Sequence, residues 1–270
     1  MPVGSQLVQI SGSTVLLTGA SGGLGQAIAR AMRARGAELV LTGRRVEVLE
    51  PLAAELGGRS LEADLGDPVA LERLLDDAGR VDILIANAAL PATGRLETYS
   101  IEQIDRSLEV NLRAPIVLAR ALLPAMLERA SGHLLFMSSL SGKAATPSSS
   151  MYNAAKFGLR GFAAALRADL RGNGVGVSTI FPGFIRDAGF FADAGVKLPP
   201  GVGTRSPEDV ARACVSAIER NRGEVDVAPL PLRLGTAVAG LAPELSASVS
   251  RRLGSDGIAR EMAAAQADKR

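Results

Sequence analysis

The stretch TVLLTGASGGLGQAIARAMRARG, residues 14 to 36, decides the fold. Val15, Leu16 and Leu17 run without a polar break, as a strand covered on both faces should, and a strand is expected over 14–19. The chain then turns through Gly19, Gly22, Gly23 and Gly25 and continues as a helix near 24–35, ended by Gly36. Missing Cβ atoms let backbone approach a pyrophosphate, and the first helical turn offers unpaired N–H groups and the positive end of a dipole. Gly19, Gly23 and Gly25 are spaced G-x-x-x-G-x-G with Ser21 and Leu24 between them, which makes this turn a candidate dinucleotide cradle. A tight turn without a ligand is the plain alternative.

Outward from that turn, six more short β-rich runs follow: ELVLTG (38–43), RSLEA (59–63), VDILIAN (81–87), GHLLFMS (132–138), GVSTIFP (176–182) and EVDVAP (224–229). Helical periodicity falls between them, near 46–56, 68–78, 101–130, 151–172 and 207–222, with Gly57, Gly172 and Gly223 as expected stops. The alternation predicts an α/β chain, a Rossmann-type doubly wound parallel sheet of about seven strands with a helical C-terminal tail. The 270 residues read as a single domain with its core at about 10–228, a loop or lid at 184–206 and an amphipathic extension at 230–270.

Composition removes several functional classes. The 30 basic residues, 26 of them arginine, are spread along the chain among 28 acidic ones, so a net charge of +2 builds no basic block for nucleic acid. A single cysteine, Cys214, forms no internal disulfide and reads as a buried small hydrophobe, and a cytoplasmic location is expected. No secretory leader is recognisable, and LGTAVAGLAP (234–243) is too short to span a membrane, so no transmembrane segment is expected. His133, the only histidine, opens a strand and reads as structural; no Cys, His or acid cluster has metal-ligand spacing.

The end of the second strand should meet the adenosine ribose, where an acid would accept from a 2′-hydroxyl. Here stand Arg44 and Arg45, which favour a 2′-phosphate through charge-assisted contacts, hence NADP(H) with NAD(H) as the alternative. Further on, MYNAAKFGLRGF (151–162) places Tyr152 and Lys156 four apart, on one face of a helix, with small Ala154 and Ala155 between them for close packing. A nearby ammonium lowers a phenol's pKa toward neutrality and makes it an acid–base catalyst.

Together these pieces resemble the classical short-chain dehydrogenases/reductases over about residues 10 to 228. The resemblance rests on TGASGGLG (18–25), ADL (63–65), ANAA (86–89), Asn111 in VNLRAP, SSLSG (138–142), YNAAK (152–156) and FPG (181–183), in the family's order and spacing. It implies a catalytic tetrad of Asn111, Ser139, Tyr152 and Lys156. Ser139 is preferred over Ser138 because it precedes x-x-Gly and stands thirteen residues before the tyrosine. The resemblance further implies that Asp64 and Leu65 meet the adenine, that Asn87 and Ala88 back the ribose, and that Pro182, Gly183 and Ile185 lie against the nicotinamide. By the same match Lys156 holds the nicotinamide ribose, and Asn111 helps hold a water linking Lys156 to solvent.

Departures from the family pattern are specific. Asp187 replaces a frequent threonine, and an acid near the diphosphate must point away or pair with Arg186. The helical tail replaces a short glycine-rich terminus, leaving homodimer and homotetramer both open. The expected activity is NADP(H)-dependent interconversion of a ketone or aldehyde with an alcohol, Tyr152 serving as general acid/base. A non-catalytic NADP(H)-binding regulator on the same fold is the alternative. Phe184, Phe190, Phe191, Val196 and Leu198 in the 184–206 loop would suit a lipophilic small-molecule substrate, or would pack the loop onto the body.

Overall fold

The computed structural model describes residues 8–196, 198, 202–242, 244, 261 and 264–266. Seven parallel strands, β1 (Thr14–Thr18), β2 (Glu38–Gly43), β3 (Arg59–Glu62), β4 (Ile83–Ala86), β5 (Gly132–Met137), β6 (Val175–Pro182) and β7 (Glu224–Val227), form one sheet in the order β3-β2-β1-β4-β5-β6-β7. This is the expected Rossmann-type arrangement.

Strand periodicity divides the core in two. Val15, Leu17, Ile83, Ile85 and Leu135 face α1 (Gly23–Ala34) and α8 (Pro207–Glu219), packing on Ile28, Met32, Val210 and Cys214. Leu16, Leu84, Leu134 and Phe136 face the opposite layer of α3 (Pro68–Ala78), α5 (Ala114–Glu128) and α6 (Ser150–Asp169). Burial on both faces explains why these strands read as unbroken apolar runs. The remaining helices are α2 (Val46–Leu56), α4 (Ile101–Leu108), α7 (Gly189–Ala194) in the lid and α9 (Leu230–Leu241) opening the tail. Most of the tail beyond α9 lies outside the described residues.

Three expectations change. The helix expected over 101–130 is α4 and α5 joined by a π-turn, Glu109–Arg113, which carries Asn111. Ile101–Glu128 is thereby one 28-residue run whose best window has a mean hydropathy of 1.4, long and apolar enough to cross a membrane by length and composition. That departs from the expectation of no such window; 44% of the window is buried, and Leu118 and Met126 sit in the core. Gly223 does not take the left-handed turn after α8; Asn221 does, at φ 45°, and Gly223 instead leaves room for the Arg167 side chain.

Candidate active site

The strand order reverses at β1 and β4, and a cleft of about 1080 Å³ opens at their carboxyl ends. Ordinary ligand pockets run to roughly 300–1,000 Å³, so the cleft stands at the upper end of that range. Its lining includes Gly19, Ser21, Gly23, Leu24, Gly25, Arg44, Arg45, Asp64, Leu65, Asn87, Ala88, Tyr152, Lys156, Pro182, Gly183 and Ile185, every residue expected to touch a cofactor.

The glycine turn is shaped by close approach. Gly19 is left-handed, at φ 66°, and a Cβ there would stand 2.8 Å from the Ala88 Cα; a Cβ on Gly25 would overlap the Gly19 carbonyl. The Asn87 amide donates to the carbonyls of Thr18 (3.0 Å) and Gly19 (3.3 Å), clamping the turn onto the end of β4. Asn87 therefore fixes the cradle's shape, a role the sequence reading did not assign. The N-cap of α1 is Gly22, which brings no capping side chain, and Gly23, Leu24 and Gly25 of the first turn line the cleft, an arrangement suited to an anion. These features fit a nicotinamide dinucleotide.

At the adenosine end, Arg44 is exposed on the rim and the Arg45 guanidinium donates to the Ser21 carbonyl. Asp64 accepts from the Gly66 N–H (2.9 Å) and from Arg106 (2.6 Å). Burial pushes its carboxyl up, but that N–H and the Arg106 and Arg44 guanidiniums outweigh it and hold the carboxyl below its ordinary value. Arg106, on α4, also lines the cleft.

At the other end, α6 carries Tyr152 and Lys156 on one face. Asn153 fixes the helix against the preceding loop, its amide donating to Ser141 (2.6 Å) and Ala144 (3.1 Å). Ala155 is buried as expected, whereas Ala154 is exposed in the single chain. Ser139 lies beside the Tyr152 phenol and opposes the rise in its pKa; its Oγ accepts from the Ser141 N–H at 3.1 Å and lies 3.5 Å from the Pro182 carbonyl. Ser138 points elsewhere, donating to the Lys156 main-chain carbonyl, so Ser139 is the serine beside Tyr152.

Lys156 is 2% exposed; its ammonium donates to the Met137 carbonyl at 2.9 Å and lies 5.6 Å from the Tyr152 ring centroid. Burial pushes Lys156 down to about 8 and Tyr152 up to about 12, the latter opposed by Ser139. The expected lowering of the phenol by the ammonium is thus not what this geometry gives, because the ammonium turns to Met137 and desolvation dominates the phenol. Asn111 is fully buried behind the cleft, its amide bound to the Leu90 N–H (2.8 Å), the Leu90 carbonyl (3.1 Å) and Ser107 (3.3 Å).

The lid settles over this end. Phe190 meets the Tyr152 ring edge-on at 6.3 Å, and Phe184 and Phe191 pack at 5.1 Å. Asp187 pairs with Arg186 at 3.3 Å, the arrangement its position required. Leu232 and Thr236 of α9, and Gln266 beyond it, also wall the cleft. Sequence reading missed these three and Arg106, which carry no local signal. His133 and Cys214 are structural: burial pushes His133 down to about 3 with its Nε2 2.8 Å from the Ser178 hydroxyl, and Cys214 up to about 12.

Residues 13–194 match the family model described as short chain dehydrogenase. Among curated relatives, the chain is 36% identical over 235 residues to Ketoacyl reductase HetN of Nostoc sp., covering 84% of this chain and 82% of that protein. It is 34% identical over 269 residues to Dehydrogenase/reductase SDR family member 7B of Bos taurus, covering 90% and 83%. A solved short-chain dehydrogenase from Sphingobium yanoikuyae in complex with NADPH superposes with a TM-score of 0.74 at 29% identity, covering 87% of this chain and 95% of that one. A matching family model over most of the chain, relatives above 30% identity over more than four fifths of their length, and a cleft at the strand-order reversal lead to one conclusion: this chain belongs to the short-chain dehydrogenase/reductase family of NAD(P)(H)-binding oxidoreductases.

Proposed function

We propose that the protein is an NADP(H)-dependent carbonyl reductase, or alcohol dehydrogenase in reverse, acting on a lipophilic ketone or aldehyde. The observation that carries this reading is the convergence of the Tyr152 phenol, the Ser139 hydroxyl and the buried Lys156 ammonium at one end of a cleft whose other end is a glycine cradle. NADPH, when bound, supplies the hydride to the carbonyl carbon. Ser139 holds the carbonyl oxygen, and Tyr152 gives it the proton that completes the alcohol. Lys156 would hold the nicotinamide ribose, and its ammonium, 5.6 Å from the Tyr152 ring centroid, would help stabilise the phenolate left on Tyr152.

Arg44 and Arg45, standing at the end of β2 where an acid would accept from a 2′-hydroxyl, support the preference for a 2′-phosphate. The relative solved with NADPH, and the one named a ketoacyl reductase, put NADPH and 3-oxoacyl thioesters first in the screen. Cytoplasmic location and assembly as a homodimer or homotetramer belong to the same reading. The test follows NADPH oxidation over a panel of ketones, aldehydes and 3-oxoacyl thioesters with wild type, Tyr152→Phe and Lys156→Ala. Equal rates in all three refute the mechanism. Arg44→Ala should reduce the NADPH-over-NADH ratio about tenfold, the scale of one charge-assisted hydrogen bond.

A further inference from the structure

We infer that Arg106 is a specificity-determining residue for the cofactor: by pairing with Asp64 it cancels the one carboxylate at the adenosine end of the cleft and keeps that end open to a 2′-phosphate. The inference rests on, and deepens, the reading of this end as an NADP(H) site.

Among the described residues three acids line the cleft, and Asp187 and Asp193 belong to the lid, so Asp64 is the sole acid at the adenosine end. Left bare, its charge would repel the phosphate dianion that Arg44 and Arg45 attract. Burial does not remove that charge: it pushes the carboxyl up, but the Gly66 N–H and the Arg106 and Arg44 guanidiniums hold it below its ordinary value. The countercharge comes from α4. Arg106 Nη2 donates to Asp64 Oδ2 at 2.6 Å, while Oδ1 accepts from the Gly66 N–H at 2.9 Å. A Cβ on Gly66 would overlap the Arg106 Nη1, so the guanidinium lies against bare backbone there. Side-chain exposures of 36% for Arg106 and 37% for Asp64 leave the pair open to the cleft. An ion pair so exposed adds little to stability; its effect is on the charge the cleft presents. Of the other two guanidiniums at this end, Arg45 donates to the Ser21 carbonyl, whereas Arg44 makes no hydrogen bond or ion pair among the described residues and stands on the rim. Arg44 is thus the cation available to the phosphate, and Arg106 clears the field around it.

The test is calorimetry on the full chain, without dinucleotide and at low ionic strength, with adenosine 2′,5′-bisphosphate and AMP, which differ by the 2′-phosphate alone. Wild type, Arg106→Gln, Arg106→Lys and the double variant Arg106→Gln with Asp64→Asn are compared. Any contact of either residue with the base is common to both nucleotides and cancels in the ratio of affinities. Arg106→Gln should lower the bisphosphate-to-AMP ratio about fivefold, the scale of one bare charge acting on a phosphate dianion across roughly 8 Å of water. Arg106→Lys, which keeps the charge, should retain the ratio. The double variant, which removes both charges, should return it to the wild-type value. An unchanged ratio in Arg106→Gln overturns the inference, as does a ratio that stays low in the double variant, which would mean that Arg106 grips the phosphate itself. Binding of neither nucleotide by the wild type overturns it too. If the wild-type ratio is near one but falls in Arg106→Gln and recovers in the double variant, the role of Arg106 stands and the NADP(H) preference falls.

Discussion

Replacing Lys156 by methionine should make the dinucleotide-free protein more stable while removing its activity. The ammonium is 2% exposed, its one recorded hydrogen bond is to the Met137 carbonyl, and burial pushes its pKa from 10.5 down to about 8. At 1.36 kcal/mol for each factor of ten in proton affinity, that difference is a penalty of roughly 3 kcal/mol carried by the folded state at pH 7. Methionine fills similar volume without charge but leaves the Met137 carbonyl unpaired, which takes back about 1 kcal/mol. The net expectation is a stabilisation of about 2 kcal/mol. Its pH dependence identifies the cause. The native lysine releases its proton near 8 and the unfolded one near 10.5, so between those values the unfolded chain holds more protons and wild-type stability rises with pH. The advantage of Lys156→Met should therefore be full below about pH 8 and, with the Met137 carbonyl still unpaired, turn into a deficit of about 1 kcal/mol by about pH 10.5. Ionisation of Tyr152 is common to both proteins and cancels in the difference. Urea unfolding of the two proteins at pH 6, 7, 9 and 10 measures it. A wild type more stable than the variant at pH 7, or a difference that ignores pH, refutes the reasoning.

Gly25→Ala should lower stability by about 1–3 kcal/mol and weaken NADPH binding with it, because the new Cβ overlaps the Gly19 carbonyl and backbone has to move; thermal unfolding and a fluorescence titration with NADPH read the two effects, and an unchanged Kd contradicts the prediction. Asn87→Ala removes the amide that holds the Thr18 and Gly19 carbonyls, and should likewise be destabilising by about 1–3 kcal/mol. Its NADPH affinity should fall, whereas a wall residue without the clamp would leave the unfolding midpoint unchanged.

Strand positions were legible because sheet burial on both faces writes itself into sequence as unbroken apolar runs such as Val15-Leu16-Leu17 and Ile83-Leu84-Ile85. The glycine turn was legible for a related reason: only glycine tolerates a backbone carbonyl where its side chain would be, as at Gly25. Tyr152 and Lys156 were legible as a helical pair. What escaped depends on tertiary reach. Arg106 stands 42 residues from Asp64, and Gln266 meets Phe190 across 76 residues, separations that leave no trace in local pattern. The π-turn at Asn111 escaped because one added residue in a helical turn changes the register without changing composition. Protonation was the weakest part of the reading, since spacing fixes that Lys156 and Tyr152 share a face but says nothing of the Met137 carbonyl that takes the ammonium.

Gly23 couples two parts of the molecule that are usually considered apart. A Cβ at position 23 would collide with the Cβ of Ala188, so the lid rests directly on the cofactor turn, methyl against bare backbone. Side-chain volume at 23 and 188 is therefore shared, and only one of the two can grow. Across homologous chains, a residue larger than glycine at the first position should appear only with glycine, or a displaced lid, at the second. A compensating pair such as Gly23→Ala with Ala188→Gly should restore what the first change alone takes away. The stretch that reads as a nucleotide signature thus also sets how closely the loop at Ala188 can lie against it.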